Sequence, residues 1–362
     1  MPAQGVRAYS LVHATVRALY STMLTRATWD ALLQAQDLDA VLGLLSKTVY
    51  GPYLQIERRL LTPRRVAYQI RWHLAEVYEK LIRLTPEPGR QLLRQLWRHY
   101  EVDNLKATLR GVETGATWNQ VLHLLYPMEK YILLSASDMA RMVQSGDMAR
   151  AVEHTRHTPY YDTLVHALER YRTEKSLFPL EVALDLHYRR RLWQSIYQLE
   201  GRDLEQALRT VGIALDVDNL LWAIRYRIYH HLSEQEIINY TLPQGYEVQD
   251  EHIRAIAAGA DIAEVVRRIY PKLETVGEIS ERSHAGLAQL ELFLNRYFLK
   301  VCRSTFIGYP FHIGIPTAYV WLNEHEIRDL TVLVEAKASH SPIETFGSLL
   351  EMQSLSSRVD QR

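Results

Sequence analysis

The sequence predicts an all-α protein built from three similar helical units. Apolar residues recur at helical spacing through nearly the whole chain, and no long alternating run marks a sheet. Two local patterns also return together at intervals of roughly 110 residues.

Taken in chain order, "MPAQGVRAYSLVHATVRALY" lacks the continuous apolar core of a secretory signal. Helical spacing is clear in "DALLQAQDLDAVLGLLSK", "QIRWHLAEVYEKLIRL" and "RQLLRQLWRHYEVDNLKATLRG". Pro86-Glu87-Pro88-Gly89 separates the last two, and Pro159, Gly201, Pro243-Gln244-Gly245 and Pro271 punctuate the rest of the chain. "LAQLELFLNRYFLKVC" is helical again, and the Gly/Pro-broken "PFHIGIPTAYVW" predicts a bend leading into a helix. The terminal "MQSLSSRVDQR" predicts a frayed end. No window reaches the roughly eighteen apolar residues of a membrane span, so a soluble chain is expected, one that meets a membrane only through a partner.

The first repeated pattern is "HYEVDNLKATLRG" at 99–111 and "ALDVDNLLWAIRY" at 214–226, each with an arginine nine residues after the first acid. A third copy follows at Glu326 as "EIRDLTVLVEAK". Their apolar trios superpose as Val102, Leu105 and Leu109, then Val217, Leu220 and Ile224, then Ile327, Leu330 and Val334. The i, i+3, i+7 spacing places each trio on one helix face for burial against a neighbour. The second pattern lies upstream of each: Asp37 in "QDLDAVLGLL", Asp147 in "GDMARAVEHT" and Asp261 in "ADIAEVVRRI". Each aspartate is placed to cap the helix it precedes. The two markers stay 64, 69 and 65 residues apart, so they repeat as one block. The units predicted are 1–128, 129–246 and 247–351, with 352–362 as the frayed tail.

The polar residues of the motif are expected on a solvated or inter-repeat face, with Arg110 and Arg225 free to bond to its carboxylates. The third copy has Glu335 at the arginine position and Arg328-Asp329 where the others have Asp-Asn. The apolar pattern is thus kept more strictly than the polar one, which marks a building block rather than a repeated chemical site.

Composition narrows the function classes. Lys plus Arg and Asp plus Glu are 42 each, so the chain lacks the excess basic charge of a generic nucleic-acid grip. Nearly half the residues are apolar, which argues against disorder. The single cysteine, Cys302, forms neither an internal disulfide nor a cysteine zinc cage, and its apolar setting predicts a core position. The sequence holds no phosphate-binding Gly-x4-Gly-Lys-Ser/Thr loop, no Gly-x-Gly-x-x-Gly after a strand and no nucleophile elbow. His154 with His157, and His230 with His231, read as exposed helix-end histidines, since no third metal ligand accompanies them. In "HYRRRLWQ", Tyr188 and Trp193 are expected to pack while Arg189, Arg190 and Arg191 are solvated. The 22 tyrosines suit helix faces that are half packed and half wet. No catalytic, cofactor-binding or metal-ligating residue is nominated.

The stretch "FHIGIPTAYVWLNEHEIRDLTVLVEAK" at 311–337 resembles the C subunit of the V/A-type rotary ATPases, which is related to the d subunit of the eukaryotic vacuolar proton pump. "FPLEVALDLHYRRRL" at 178–192, "IERRLL" with "HLAEVYEKL" at 56–81, and "AYSLVHATVRAL" near the N-terminus are similar to that family in the same order. The resemblance implies a pseudo-threefold, funnel-like helical body on the cytoplasmic mouth of the membrane proteolipid ring. It implies a socket for the central stalk, one copy per complex, no catalysis of its own, and peripheral membrane association through the ring. The competing reading is a free-standing helical-repeat scaffold for another protein.

Overall fold

In the computed structural model, residues 2–57, 60–243, 245–271 and 284–352 are described. Every regular element among them is helical. The expected fraying after 352, the arginine pair of "IERRLL" and Gln244 lie outside the described residues.

The chain divides into two compact units, residues 1–195 with 323–362, and residues 196–322. In the first lie α1 (Pro2–Tyr20), α2 (Arg26–Gln34), α3 (Leu38–Leu45), α4 (Pro63–Leu84), α5 (Gly89–Glu113), α6 (Trp118–Leu122), α7 (Ala136–Ser145), α8 (Met148–Glu153) and α9 (Tyr161–Glu174). Helix α10 (Phe178–Ile196) ends this run. The second unit holds α11 (Gly201–Ala207), α12 (Ile213–Ile228), α13 (Glu234–Asn239), α14 (Asp250–Ala257), α15 (Ile262–Ile269) and α16 (His284–Ser304). Helix α17 (Gly314–Ala338) begins in the second unit's sequence and ends in the first's, and α18 (Ile343–Phe346) follows.

Local sequence sets the boundaries. Thr62 caps α4 ahead of Pro63, which suits a first turn because proline lacks only an N–H that would be unpaired there. Pro86 and Pro88 then prevent α4 from running into α5. The marker aspartates cap their helices as predicted. Asp37 accepts from Ala40 N–H at 2.8 Å, Asp147 from Arg150 N–H at 2.9 Å and Asp261 from Glu264 N–H at 2.7 Å. Each such cap contributes about 1 kcal/mol. A π-helical turn at Leu208–Gly212 joins α11 to α12. The Gly/Pro-broken segment bends at 312–313 and enters α17, as the sequence implies.

The apolar trios are core residues. Val102, Leu105 and Leu109 are buried on α5, Ile327, Leu330 and Val334 on α17, and Val217, Leu220 and Ile224 on α12. Around α5, Trp97 stacks on Tyr78 with ring centroids 4.8 Å apart, and Tyr100 lies edge-on to Tyr78. In the second unit Cys302 is fully buried on α16, and burial pushes its thiol well above the ordinary range. His157, His230 and His231 are exposed near helix ends, and His154 is half-buried at the end of α8. One expectation fails nearby: Arg189 is 5% exposed, whereas Arg190 and Arg191 are solvated. Arg189 stands beside the buried Tyr188 on the packed face of α10, so helix phase rather than residue type decides its place.

Candidate functional site

The repeated motif forms a set of buried clamps. On α5, Glu101 is fully buried, and one of its oxygens accepts the N–H groups of Leu133 and Leu134, the latter at 2.9 Å. Its other oxygen accepts from the Tyr160 hydroxyl at 2.6 Å and the Arg98 guanidinium at 2.7 Å. One turn on, Asn104 takes the Tyr126 N–H on Oδ1 at 2.6 Å and donates from Nδ2 to the Tyr126 carbonyl at 2.9 Å.

The same device recurs on α12. Asp216 accepts the N–H groups of Tyr246, Glu247 and Val248 at 2.9, 2.5 and 3.1 Å. Asn219 accepts from Leu242 N–H at 2.8 Å and donates to the Leu242 carbonyl at 3.1 Å. Gly245 permits this approach, because a Cβ there would stand 2.0 Å from Asp216 Oδ1.

On α17 the acid's partners come from the other end of the chain. Glu326 accepts from Leu24 N–H at 2.9 Å and from the Tyr50 hydroxyl at 2.8 Å. Asp329, in the amide's place, accepts the N–H groups of Glu351 and Met352 at 2.9 and 2.7 Å. Leu24, Leu134 and Val248 each immediately precede the N-cap of a helix, namely Thr25, Ser135 and Gln249. Each acid therefore ties a long helix to the start of a following helix pair, and in two of the three copies the amide position ties it to the connecting strap a few residues earlier. The C-terminal long helix is completed by the N-terminal segment of the chain.

Of the two faces expected for these residues, solvated or inter-repeat, burial excludes the solvated one for the acid and amide positions. Glu101, Asn104, Asp216, Asn219, Glu326 and Asp329 are all at most 3% exposed. The acid precedes the apolar trio by one residue and the amide position precedes its second member by one, so both flank the buried stripe at about 100°. Their buried charge and polarity are satisfied by backbone groups that would otherwise be unpaired. Arg110 and Arg225 do not bond to these acids either. Arg110 Nε meets Glu181 at 2.6 Å and Arg225 Nη2 meets Glu291 at 2.5 Å. The acids of these ion pairs are 110 residues apart, a further repeated contact. In the third copy, with Glu335, the residue 110 before Glu181 is Arg71, which instead reaches the Leu124 carbonyl at 3.4 Å and lies 4.3 Å over the Tyr126 ring.

Sequence reasoning also missed Tyr50, Tyr160 and Tyr270, spaced 110 residues apart. The first two donate to Glu326 and Glu101. Tyr270 is buried beside Tyr297, with ring centroids 4.9 Å apart, but its hydroxyl has no hydrogen-bond partner among the described residues. Asp216 is one methylene shorter than the two glutamates, and its oxygens are taken up by backbone N–H groups. The interval alone could have flagged these tyrosines.

The electrostatics differ among the clamps. Burial pushes Asp216 up to about 6 against the pull of its three backbone N–H groups, and pushes Asp329 up to about 7. On the half-buried flank of α5, burial also disfavours the Asp103 charge, but His99, Lys106 and Arg110 outweigh it and hold the carboxyl below its ordinary value. Lys106 bridges Asp103 at 2.9 Å and Asp185 of α10 at 2.8 Å. An open groove of about 450 Å³ lies beside this ladder, lined by Asp103, Lys106, Arg110, Gly111, Gln120 and Leu124 among others. Among the described residues no group of three or more His, Cys, Asp or Glu is placed to hold a metal ion. No described helix is long and apolar enough to cross a membrane. The carboxylates at the heart of the motif are consumed by backbone hydrogen bonds, so the arrangement holds helices in register rather than presenting an acid or base to a substrate.

The class the fold defines is an all-helical protein whose repeated acids clamp long helices to short helix pairs. Residues 12–346 match the ATP synthase (C/AC39) subunit family, and the chain belongs to that family. It is 23% identical over 347 residues to the C subunit of the A-type ATP synthase of Methanocaldococcus jannaschii, covering 94% of this chain and 86% of that one. It is 26% identical over 267 residues to the corresponding A-type ATP synthase C subunit of Methanobrevibacter smithii, covering 73% and 68%. With that of Methanosarcina mazei it shares 22% identity over 337 residues, covering 92% and 90%.

Proposed function

We propose that this chain is the non-catalytic central-rotor subunit of a V/A-type rotary ATPase or synthase, a socket that links the central stalk to the proteolipid ring and so couples ion translocation to ATP chemistry elsewhere. The observation that carries the reading is the family match across residues 12–346, nearly the full chain. The relatives named above are subunits of A-type ATP synthases, and the proposal extends that assembly to this chain.

The clamps support a mechanical role. A part that transmits torque needs long helices held in register by contacts that do not slip, and three buried acids tied to backbone groups supply them. The three units at 1–128, 129–246 and 247–351 are proposed to interlock in cyclic order, because the partners of each long helix belong wholly or in part to the next unit. Glu101 pairs across the first boundary with residues 133, 134 and 160. Asp216 pairs across the second with residues 247 and 248. Glu326 pairs with residues 24 and 50 of the first. With the proposed role go the features that the family resemblance implies: a pseudo-threefold, funnel-like body, one copy per complex, and a peripheral place on the cytoplasmic side of the membrane.

Affinity capture of the chain from detergent-solubilised native membranes tests the reading. The proteolipid ring and stalk subunits should be recovered with it. Recovery of an unrelated soluble protein without any ATPase subunit would favour the free-standing scaffold instead.

A further inference from the structure

We propose that Asp329 is a pH-sensitive latch, holding the C-terminal segment 343–352 on α17 and loosening its grip as the pH rises through neutrality. The segment is anchored in the core: Phe346, Leu350, Glu351 and Met352 are each at most 4% exposed. Asp329 Oδ2 accepts the two N–H groups, from Glu351 and Met352, that fix the end of this segment.

Comparison with the other copies isolates what is special here. Asn104 and Asn219 hold the equivalent backbone with a neutral amide that both donates and accepts. Neither can titrate. The third copy places a carboxyl at this position, and it faces two N–H donors instead of one N–H and one carbonyl. The titratable groups facing it are Glu351 from the segment and His325 from α17, and Arg328 of α17 reaches Glu351. Arg328 Nη2 donates to Glu351 Oε1 at 2.9 Å, and His325 Nδ1 meets the other Glu351 oxygen. Two carboxyls thus share one buried cluster, in which the Arg328 guanidinium and the His325 ring bond to Glu351. A proton on Asp329 relieves the repulsion. Because both N–H groups bond to Oδ2, Oδ1 can carry that proton while both hydrogen bonds persist.

The direction follows from linkage. Burial first, then the neighbouring Glu351, pushes the docked Asp329 from its ordinary 3.8 up to about 7. A raised carboxyl stabilises the docked state fully below the ordinary value, and that contribution is lost as pH rises through about 7. Between pH 6 and pH 8 the docking equilibrium weakens about ten-fold.

Hydrogen exchange by mass spectrometry on the full chain tests this, reading peptides over 346–352 with rates corrected for intrinsic exchange. Wild-type protection should fall about ten-fold from pH 6 to pH 8. Asp329→Asn, which installs the amide of the other copies, should show equal protection at both. Glu351→Gln, which removes the neighbouring charge, should move the loss to lower pH, and it decides the matter if Asp329→Asn does not fold. Wild-type protection that is flat across this range would overturn the proposal. So would an unshifted drop in the variants that fold.

Discussion

Asn219→Asp puts the acid of the third copy into the second, where the geometry is wrong for it. Leu242 offers Asn219 one N–H and one carbonyl, both buried. A protonated carboxyl can replace the amide almost atom for atom, accepting on one oxygen and donating from the other. At pH 5 the variant should therefore cost about 2–3 kcal/mol, about 1 for one adjusted hydrogen bond and about 1.5 for keeping a proton just above the ordinary aspartate pKa of about 3.9. At pH 8 the ionised form leaves the Leu242 carbonyl without a donor, about 1–3 kcal/mol, and opposes it with a charge. The acid can escape that only by holding its proton, at about 1.4 kcal/mol per pH unit above its pKa. The total at pH 8 should be about 3–5 kcal/mol. Asn219→Ala should cost about 2–5 kcal/mol at either pH, since it strands both backbone groups. The assay is urea unfolding at pH 5 and pH 8, followed by hydrogen exchange of peptides over 237–248. Local readout is needed because a chain of two compact units need not unfold in one step. An Asn219→Asp cost that is the same at both pH values would refute the clamp geometry.

Three further outcomes follow from the same contacts. Truncating Leu105, Leu220 or Leu330 to alanine should each cost about 2–5 kcal/mol by chemical denaturation, and a cost under about 0.5 kcal/mol at all three would contradict their place in the core. Tyr50→Phe and Tyr160→Phe should each cost about 1–3 kcal/mol, because a buried glutamate loses a donor, whereas Tyr270→Phe should be nearly neutral; equal costs at all three positions would sink the distinction. The Asp216 carboxyl, raised from 3.8 to about 6, contributes stability that is complete below 3.8 and lost as pH rises through about 6. Asp216→Asn should flatten that part of the second unit's pH–stability curve, and an unchanged slope would show that Asp216 is not its source.

The fold was legible because helices and repeats leave periodic marks. The Asp37, Asp147 and Asp261 caps and the buried trios follow from spacing alone, since a cap needs only its own helix and an apolar stripe must find a partner face. The clamps were not legible in the same way. Glu101 and Asp216 look like surface acids in sequence, and only the distant N–H groups at 133–134 and 246–248 make their burial tolerable. Arg189 shows the same limit, because one step of helix phase separates it from the solvated Arg190. The pairing of Glu326 with Leu24 and Tyr50 joins residues some 300 positions apart, a distance over which local pattern carries no signal. The resemblance around 311–337 pointed to the family in which the chain falls, but the Asp329 position departs from Asn104 and Asn219, so its chemistry had to come from contacts.

The proposed coupling role is tested most directly by reconstituting membranes of the rotary ATPase with and without this chain and recording ATP hydrolysis and ATP-driven ion pumping side by side. The isolated chain, with no phosphate loop, should neither bind nor hydrolyse ATP. Without it, the catalytic head should keep hydrolysing ATP while pumping falls away, because the stalk no longer grips the ring. Pumping that continues at full efficiency in its absence would contradict the account.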